Sequence, residues 1–139
     1  MRIAPIGTVR HISDDQFVIE MSPEFREGLH GIAPGDGLDV LYWMHELPVE
    51  QRRKLKVYPQ GNKQKPLKGV FGLRSPMRPN PIGVSTVTVR RLEKGLLYVT
   101  AFDAFDGSPI IDIKAARRRG DYHSQARRPK EARKREAAK

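Results

Sequence analysis

The sequence predicts a mainly β protein: a small single-sheet antiparallel β-barrel with short helical turns and a basic C-terminal tail. Three observations carry this. About seven short β-prone runs are separated by Gly, Pro and Asp turn residues. No helical segment is long enough to cover a sheet on both faces. A domain of this size also removes its exposed strand edges most simply by closing the sheet on itself. The 139 residues divide into a barrel over 1–121 and a tail over 122–139, and the barrel is large enough for a core of its own.

Each element follows from local chemistry. Thr8–Ile12 and Gln16–Met21 are β-prone runs joined by Ser13-Asp14-Asp15, a hairpin turn. Ser22 before Pro23 and Glu24 has the pattern of a helix N-cap with proline at the first position, and Gly28 and Gly31 keep that helix short. Gly35-Asp36-Gly37 is a turn leading into Leu38–Met44, a buried strand that carries Tyr42 and the single tryptophan, Trp43. Pro48–Leu55 reads as a short polar helix and Tyr58–Pro66 as a loop. Gly69–Leu73 reads as a strand feeding the stretch "RSPMRPNPIGVS". Ser85–Leu92 and Leu96–Phe102 form the clearest hairpin, turning at Glu93-Lys94-Gly95. Val87 and Val89 alternate there with Thr86, Thr88 and Arg90, as one wet face requires. Ile110–Ile113 is a last short strand. Pro129–Lys139 favours a helix but has no apolar stripe to hold it to the core.

The formal charge of +10 is uneven. Lys114–Lys139 holds 11 basic and 3 acidic residues, whereas residues 1–113 hold 15 and 13. A basic block of this kind suits phosphate-rich partners, nucleic acid first among them. There are no cysteines, hence no disulfide or thiolate metal site. Met1-Arg2-Ile3-Ala4-Pro5 lacks a signal-peptide core, and no apolar run approaches the roughly 20 residues that span a bilayer. A cytoplasmic protein without a membrane segment is expected.

Pro76, Pro79 and Pro81 fix their own φ and push the preceding residues towards extended backbone. The loop is therefore pre-organised, and it presents Arg74, Arg78 and Asn80. Two guanidinium groups suit a carboxylate or phosphate, and an amide suits a purine edge. Asp103, Asp106 and Asp112 have neither EF-hand spacing nor a nearby histidine, so no metal is expected, and Asp106-Gly107 reads as a turn. His11, His30, His45 and His123 are too scattered for a zinc motif. No phosphate-binding GxxxxGKS loop, nucleophile elbow or GxGxxG turn is present. The residues alone point to a basic barrel with a rigid recognition loop for a nucleotide-like ligand or RNA.

"RSPMRPNPIGVS" followed about twenty residues later by "DGSPIIDIK" resembles the TsaA-like (YaeB/TrmO) family across roughly Ile6–Lys114. Its characterised members are S-adenosylmethionine-dependent, dimeric single-barrel enzymes. They N6-methylate threonylcarbamoyl-modified adenosine in the tRNA anticodon loop. The resemblance implies S-adenosyl-L-methionine as cofactor, tRNA as partner and a homodimer. It implies cofactor contacts from His45, Arg74, Val84 and the strand end Thr100, Ala101, Phe102 and Asp103. Asn80 before Pro81, and Asp112, are the expected catalytic acceptors for the N6 protons. Arg78, Lys114, Arg117, Arg118 and Arg119 are the expected RNA contacts. The chain departs from the family in lacking a Pro-Arg-Gln hairpin, and in having Ala115-Ala116 for Pro-Tyr and Gly72-Leu73 for Ala-Thr. It resembles a compact, divergent member. The alternatives are a methyltransferase with another RNA or small-molecule acceptor, and a non-catalytic RNA-binding barrel using Arg78, Lys63, Lys65 and the tail.

Overall fold

Eight strands lie within residues 1–117, the part of the chain that the computed structural model describes. The tail over 122–139, its expected helix, and Arg118 and Arg119 lie outside the described residues. Strands β1 (Gly7–Ser13) and β2 (Gln16–Met21) pair as the expected hairpin. The others are β3 (Gly37–Trp43), β4 (Lys56–Val57), β5 (Lys68–Gly69), β6 (Ile82–Glu93), β7 (Leu96–Thr100) and β8 (Pro109–Ala115). Six of them form one antiparallel sheet in the order β1-β2-β7-β6-β3-β8. β8 then pairs back onto β1 through Gly7↔Ile110 and Thr8↔Pro109, so the ring of pairings closes at a narrow seam. Loop bonds reinforce that seam: Val9 N–H donates to Ser108 O at 2.9 Å and Gly107 N–H to Val9 O at 2.8 Å.

The inward residues of the ring make the core. Val9, Ile19, Val40, Leu97, Val99 and Ile110 have no solvent-accessible surface. In β6, Val87 and Val89 are buried while Thr86, Thr88 and Arg90 are exposed, as the alternation predicts. Gly83 is required by packing. A Cβ there would lie 2.5 Å from the ring of Tyr42, which sits opposite it on β3.

Several local expectations are corrected. The expected single sheet is accompanied by a second, two-stranded one, β4–β5. Gly69–Leu73 is not a strand: only Lys68–Gly69 pairs, and Val70–Gly72 then turns as a 3-10 helix around the fully buried Val70. The helix after Ser22 is 3-10 over Pro23–Leu29, and the Ser22 side chain makes no capping bond. Pro48–Leu55 contracts to a 3-10 turn at Val49–Arg53, and the Tyr58–Pro66 loop contains another at Pro59–Gly61. β6 begins at Ile82, inside the proline stretch. Pro81 has no N–H, but its carbonyl accepts from Met44 N–H at 2.7 Å and so continues the β3 ladder.

Among the described residues no helix is long and apolar enough to cross a membrane.

Candidate functional site

The proline stretch is tied down from within. Arg78 donates Nε–H to Ser75 O at 2.8 Å and Nη2–H to Val70 O and Leu73 O, both at 2.7 Å. Three of its five N–H donors are thereby engaged by carbonyls of its own loop. Met77 N–H donates to Ser75 Oγ at 3.2 Å and Ile82 N–H to Asn80 O at 2.7 Å. Arg78 was expected on the RNA face; the structure makes it the clamp that shapes the loop.

That loop delivers the chain to β6, where a strand edge is left open. On one side, Ile82–Thr88 pairs with Trp43–Gly37 of β3. On the other, pairing with β7 begins only at Val89. Ile82–Thr88 therefore has no strand partner on the β7 side among the described residues. The parity of the strand can be read from its flanking bonds. Val89 directs its N–H to Asp36 O at 2.8 Å and accepts from Gly35 N–H at 2.8 Å, both on the β3 side. Alternation then turns Gly83 and Ser85 towards β3, and turns the backbone groups of Val84, Thr86 and Thr88 outward to the open edge. Two contacts agree. Thr88 N–H donates to Thr100 Oγ1 at 3.0 Å, and Val84 O accepts from Arg74 Nη1 at 3.3 Å.

Three of the expected cofactor residues, Arg74, Val84 and Thr100, meet along this edge. Arg74 lies against Val84, whose side chain is 42 % exposed. Thr100 is bonded beside Thr88. Ala101 N–H donates to Asp15 O at 3.3 Å, which turns the chain out of β7. Phe102 then packs edge-on to Tyr42 at 5.6 Å and against Phe17 at 5.5 Å, so it anchors the strand end where β7 has stopped. Asp103 follows with an exposed side chain. His45 leaves β3 beside the proline loop, its N–H on Trp43 O at 2.9 Å and its neighbour Met44 bonded to Pro81. Asn80 is exposed at the entrance to β6.

Asp112 is placed apart from these. Leu41 pairs with Val84 on one side and with Asp112 on the other, so β3 separates Asp112 from the open edge by about two strand spacings, roughly 10 Å. Its carboxylate is met by Ile113 N–H at 2.9 Å and Lys114 Nζ at 3.0 Å. Asp112, Lys114 and Arg117 line a different cavity of about 1000 Å³, walled opposite by Glu24 and Phe25. The remaining aspartate of the motif, Asp106, accepts from His11 N–H at 2.9 Å, in keeping with a turn. Among the described residues no three His, Asp or Glu side chains are grouped to hold a metal.

The open edge suits an adenine. Outward N–H and C=O groups on one strand match the alternating donors and acceptors of the purine's polar rim, and Val84 offers an apolar surface beside them. Arg74, exposed and next to that edge, is available for a carboxylate.

Fold and site thus define an antiparallel β domain with one open strand edge beside a rigid proline loop, and without a glycine-rich phosphate loop. The chain belongs to the tRNA-methyltransferase O N-terminal domain family, whose model matches residues 5–122. A probable S-adenosyl-L-methionine-binding protein of Pyrococcus horikoshii is 45 % identical over 114 residues, covering 81 % of this chain and 80 % of that protein. An S-adenosyl-L-methionine-binding protein of Archaeoglobus fulgidus is 39 % identical over 127 residues, covering 82 % and 88 %. The crystal structure of TrmO from Pseudomonas aeruginosa superposes with a TM-score of 0.64 at 25 % identity, over 87 % of this chain. The chain spans 58 % of that TrmO chain.

Sequence reasoning missed the open edge of β6, because an unpaired strand edge has no signature in side-chain type. It also missed the clamp role of Arg78, since the carbonyls that hold it leave no trace in composition.

Proposed function

We propose that this chain is an S-adenosyl-L-methionine-dependent methyltransferase whose acceptor is N6 of an adenosine, threonylcarbamoyl-modified, in a tRNA anticodon loop. It acts in the cytoplasm as a homodimer. The observation that carries the reading is the open edge of β6 from Val84 to Thr88, with Arg74 at one end and Thr100 at the other. The family's description and the names of the archaeal relatives support cofactor and acceptor class.

Bound there, the cofactor supplies an electrophilic methyl group on a sulfonium. The chain's own residues bind and align. Val84 and Thr86 read the adenine with backbone groups that no β-strand uses. Arg74 releases a long, exposed hydrogen bond to Val84 O, at 3.3 Å, and forks onto the methionine carboxylate. Phe102, wedged against Tyr42, holds Thr100–Asp103 in place, and Asp103 is free to accept from a ribose hydroxyl. N6 of adenosine is a weak nucleophile because its lone pair is conjugated with the ring. Asn80 stands at the loop end beside this edge, and its amide oxygen accepts a hydrogen bond from N6–H as the nitrogen pyramidalises; the proton leaves to solvent once the methyl group is on N6. Asp112, across β3 and paired with Lys114, stands behind Asn80 for this role. Alignment of the two reactants provides most of the acceleration.

The test is transfer of labelled methyl from S-adenosyl-L-methionine to a tRNA pool, followed by nucleoside analysis. Label is expected on N6 of threonylcarbamoyladenosine. Label on another nucleoside would keep the enzyme and replace the acceptor. RNA binding without transfer, in protein that binds the cofactor, would leave a non-catalytic RNA-binding domain.

A further inference from the structure

Between β3 and β6 the chain makes an excursion over residues 44–81 that carries β4 and β5. From Gln51 to Leu92 it contains eleven lysines and arginines and no aspartate or glutamate. The fold gathers part of this charge around one groove of about 1100 Å³, lined by Lys54, Lys56, Lys63 and Lys65, with Tyr58 and Arg74. All four lysines are exposed, and among the described residues none of them forms an ion pair. Four ammonium groups around one concavity without a carboxylate repel one another, and a polyanion relieves that repulsion. The loop tip that carries Lys63 and Lys65 is shaped by two consecutive left-handed residues, Gln60 at φ 54° and Gly61 at φ 68°.

The groove's wall from Leu73 to Met77 belongs to the loop that leads to the open edge of β6, and Arg74 belongs to both. A chain of phosphates lying in the groove therefore passes beside the methyl donor's place. Tyr58, 37 % exposed on the groove wall, offers a ring on which an unstacked base can rest. The expected RNA contacts fit less well: Arg78 is held by its own loop and Lys114 by Asp112.

We infer that the Lys54/Lys56/Lys63/Lys65 groove is the docking channel for the phosphodiester backbone of the acceptor RNA. This rests on the proposed RNA acceptor and adds the surface that grips it.

The test compares the full-length wild type with two variants of equal charge loss. One is Lys56→Ala/Lys63→Ala/Lys65→Ala in the groove; the other is Lys130→Ala/Arg133→Ala/Lys134→Ala in the tail. Binding of a fluorescein-labelled RNA stem-loop is followed by anisotropy across a salt series, and S-adenosyl-L-methionine binding by calorimetry. Each lost phosphate contact flattens the slope of log affinity against log salt by about 0.7–0.9. The groove variant is expected to lose about 2–3 in slope and at least about tenfold in low-salt affinity relative to the tail variant, with cofactor binding unchanged. Wild-type slope and affinity in the groove variant would overturn the channel and leave the RNA acceptor standing. Loss of cofactor binding in that variant would also overturn it, because the lysines would then belong to the cofactor pocket. If the wild type binds cofactor but no RNA, the channel and the RNA acceptor fall together.

Discussion

Two arginines four positions apart in one proline-rich loop have different tasks, and their partners separate them. Arg74 is exposed and makes one long bond, to a carbonyl on an open strand edge. Arg78 is partly buried and holds three carbonyls together. Arg78→Ala leaves Ser75 O and Leu73 O unmet, while Val70 O keeps the Leu73 N–H at 3.1 Å, and an unsatisfied buried acceptor costs about 1–3 kcal/mol. The variant should therefore unfold at lower denaturant and bind S-adenosyl-L-methionine more weakly. Arg78→Lys should restore little, because a single ammonium does not reproduce the planar fork. Full recovery in the lysine variant, read from the denaturation midpoint, would contradict the clamp. Both arginines stood out in the sequence, within one proline-rich loop. Their division of labour did not, since Val70, Leu73 and Ser75 contribute main-chain oxygens and not side chains.

At the scale of elements, the decisive feature is that β6 is longer than its partner. β6 runs from Ile82 to Glu93, whereas β7 stops at Thr100 and pairs only as far as Val89. The β6–β7 hairpin was legible from its alternation and its Glu93-Lys94-Gly95 turn. The free half of β6 was hidden in part, because the expected strand began only at Ser85, whereas Pro81 already joins the ladder through its carbonyl and β6 begins at Ile82. Two of the 3-10 turns, Pro23–Leu29 and Val49–Arg53, were legible as short helices though not by type; Pro59–Gly61 was hidden in an expected loop and Val70–Gly72 in an expected strand. Parity gives a sharp prediction. Val84 turns its N–H to the open edge, so Val84→Pro deletes the donor proposed for the cofactor and spares the β3 ladder. Ser85 turns its N–H towards β3, so Ser85→Pro removes a ladder bond and should cost about 1–3 kcal/mol in a urea titration. Val84→Pro should stay near wild-type stability and lose cofactor affinity. The reverse pattern would mean that the strand is turned the other way.

At the scale of the whole molecule, a six-stranded ring with a fully buried aliphatic interior supplies rigidity, and function is carried on what the ring leaves outside. The open edge, the proline loop and the lysine groove all belong to β6 or to the excursion before it. The mainly β class and the outward–inward alternation were readable from local sequence. The second sheet was not, since two-residue strands such as Lys56–Val57 and Lys68–Gly69 have no periodicity to detect. The separation of Asp112 from the expected cofactor residues was equally hidden: it depends on β3 lying between β6 and β8, a long-range pairing. The charge asymmetry that drew attention to the tail has a counterpart within the folded body, in a stretch of 42 residues without a carboxylate from Gln51 to Leu92.

The central claim is that S-adenosyl-L-methionine lies along the open edge of β6 with its carboxylate on Arg74. Titration calorimetry of the cofactor into wild type and Arg74→Ala tests it most directly. The wild type should bind saturably, near one cofactor per chain. The variant should lose about 1.5–3 kcal/mol, the range for a hydrogen bond to a charged group, or roughly 10- to 150-fold in affinity, with an unchanged unfolding midpoint. Equal binding by the two proteins, or none by either at concentrations where a free energy of about −5 kcal/mol would register, would contradict it.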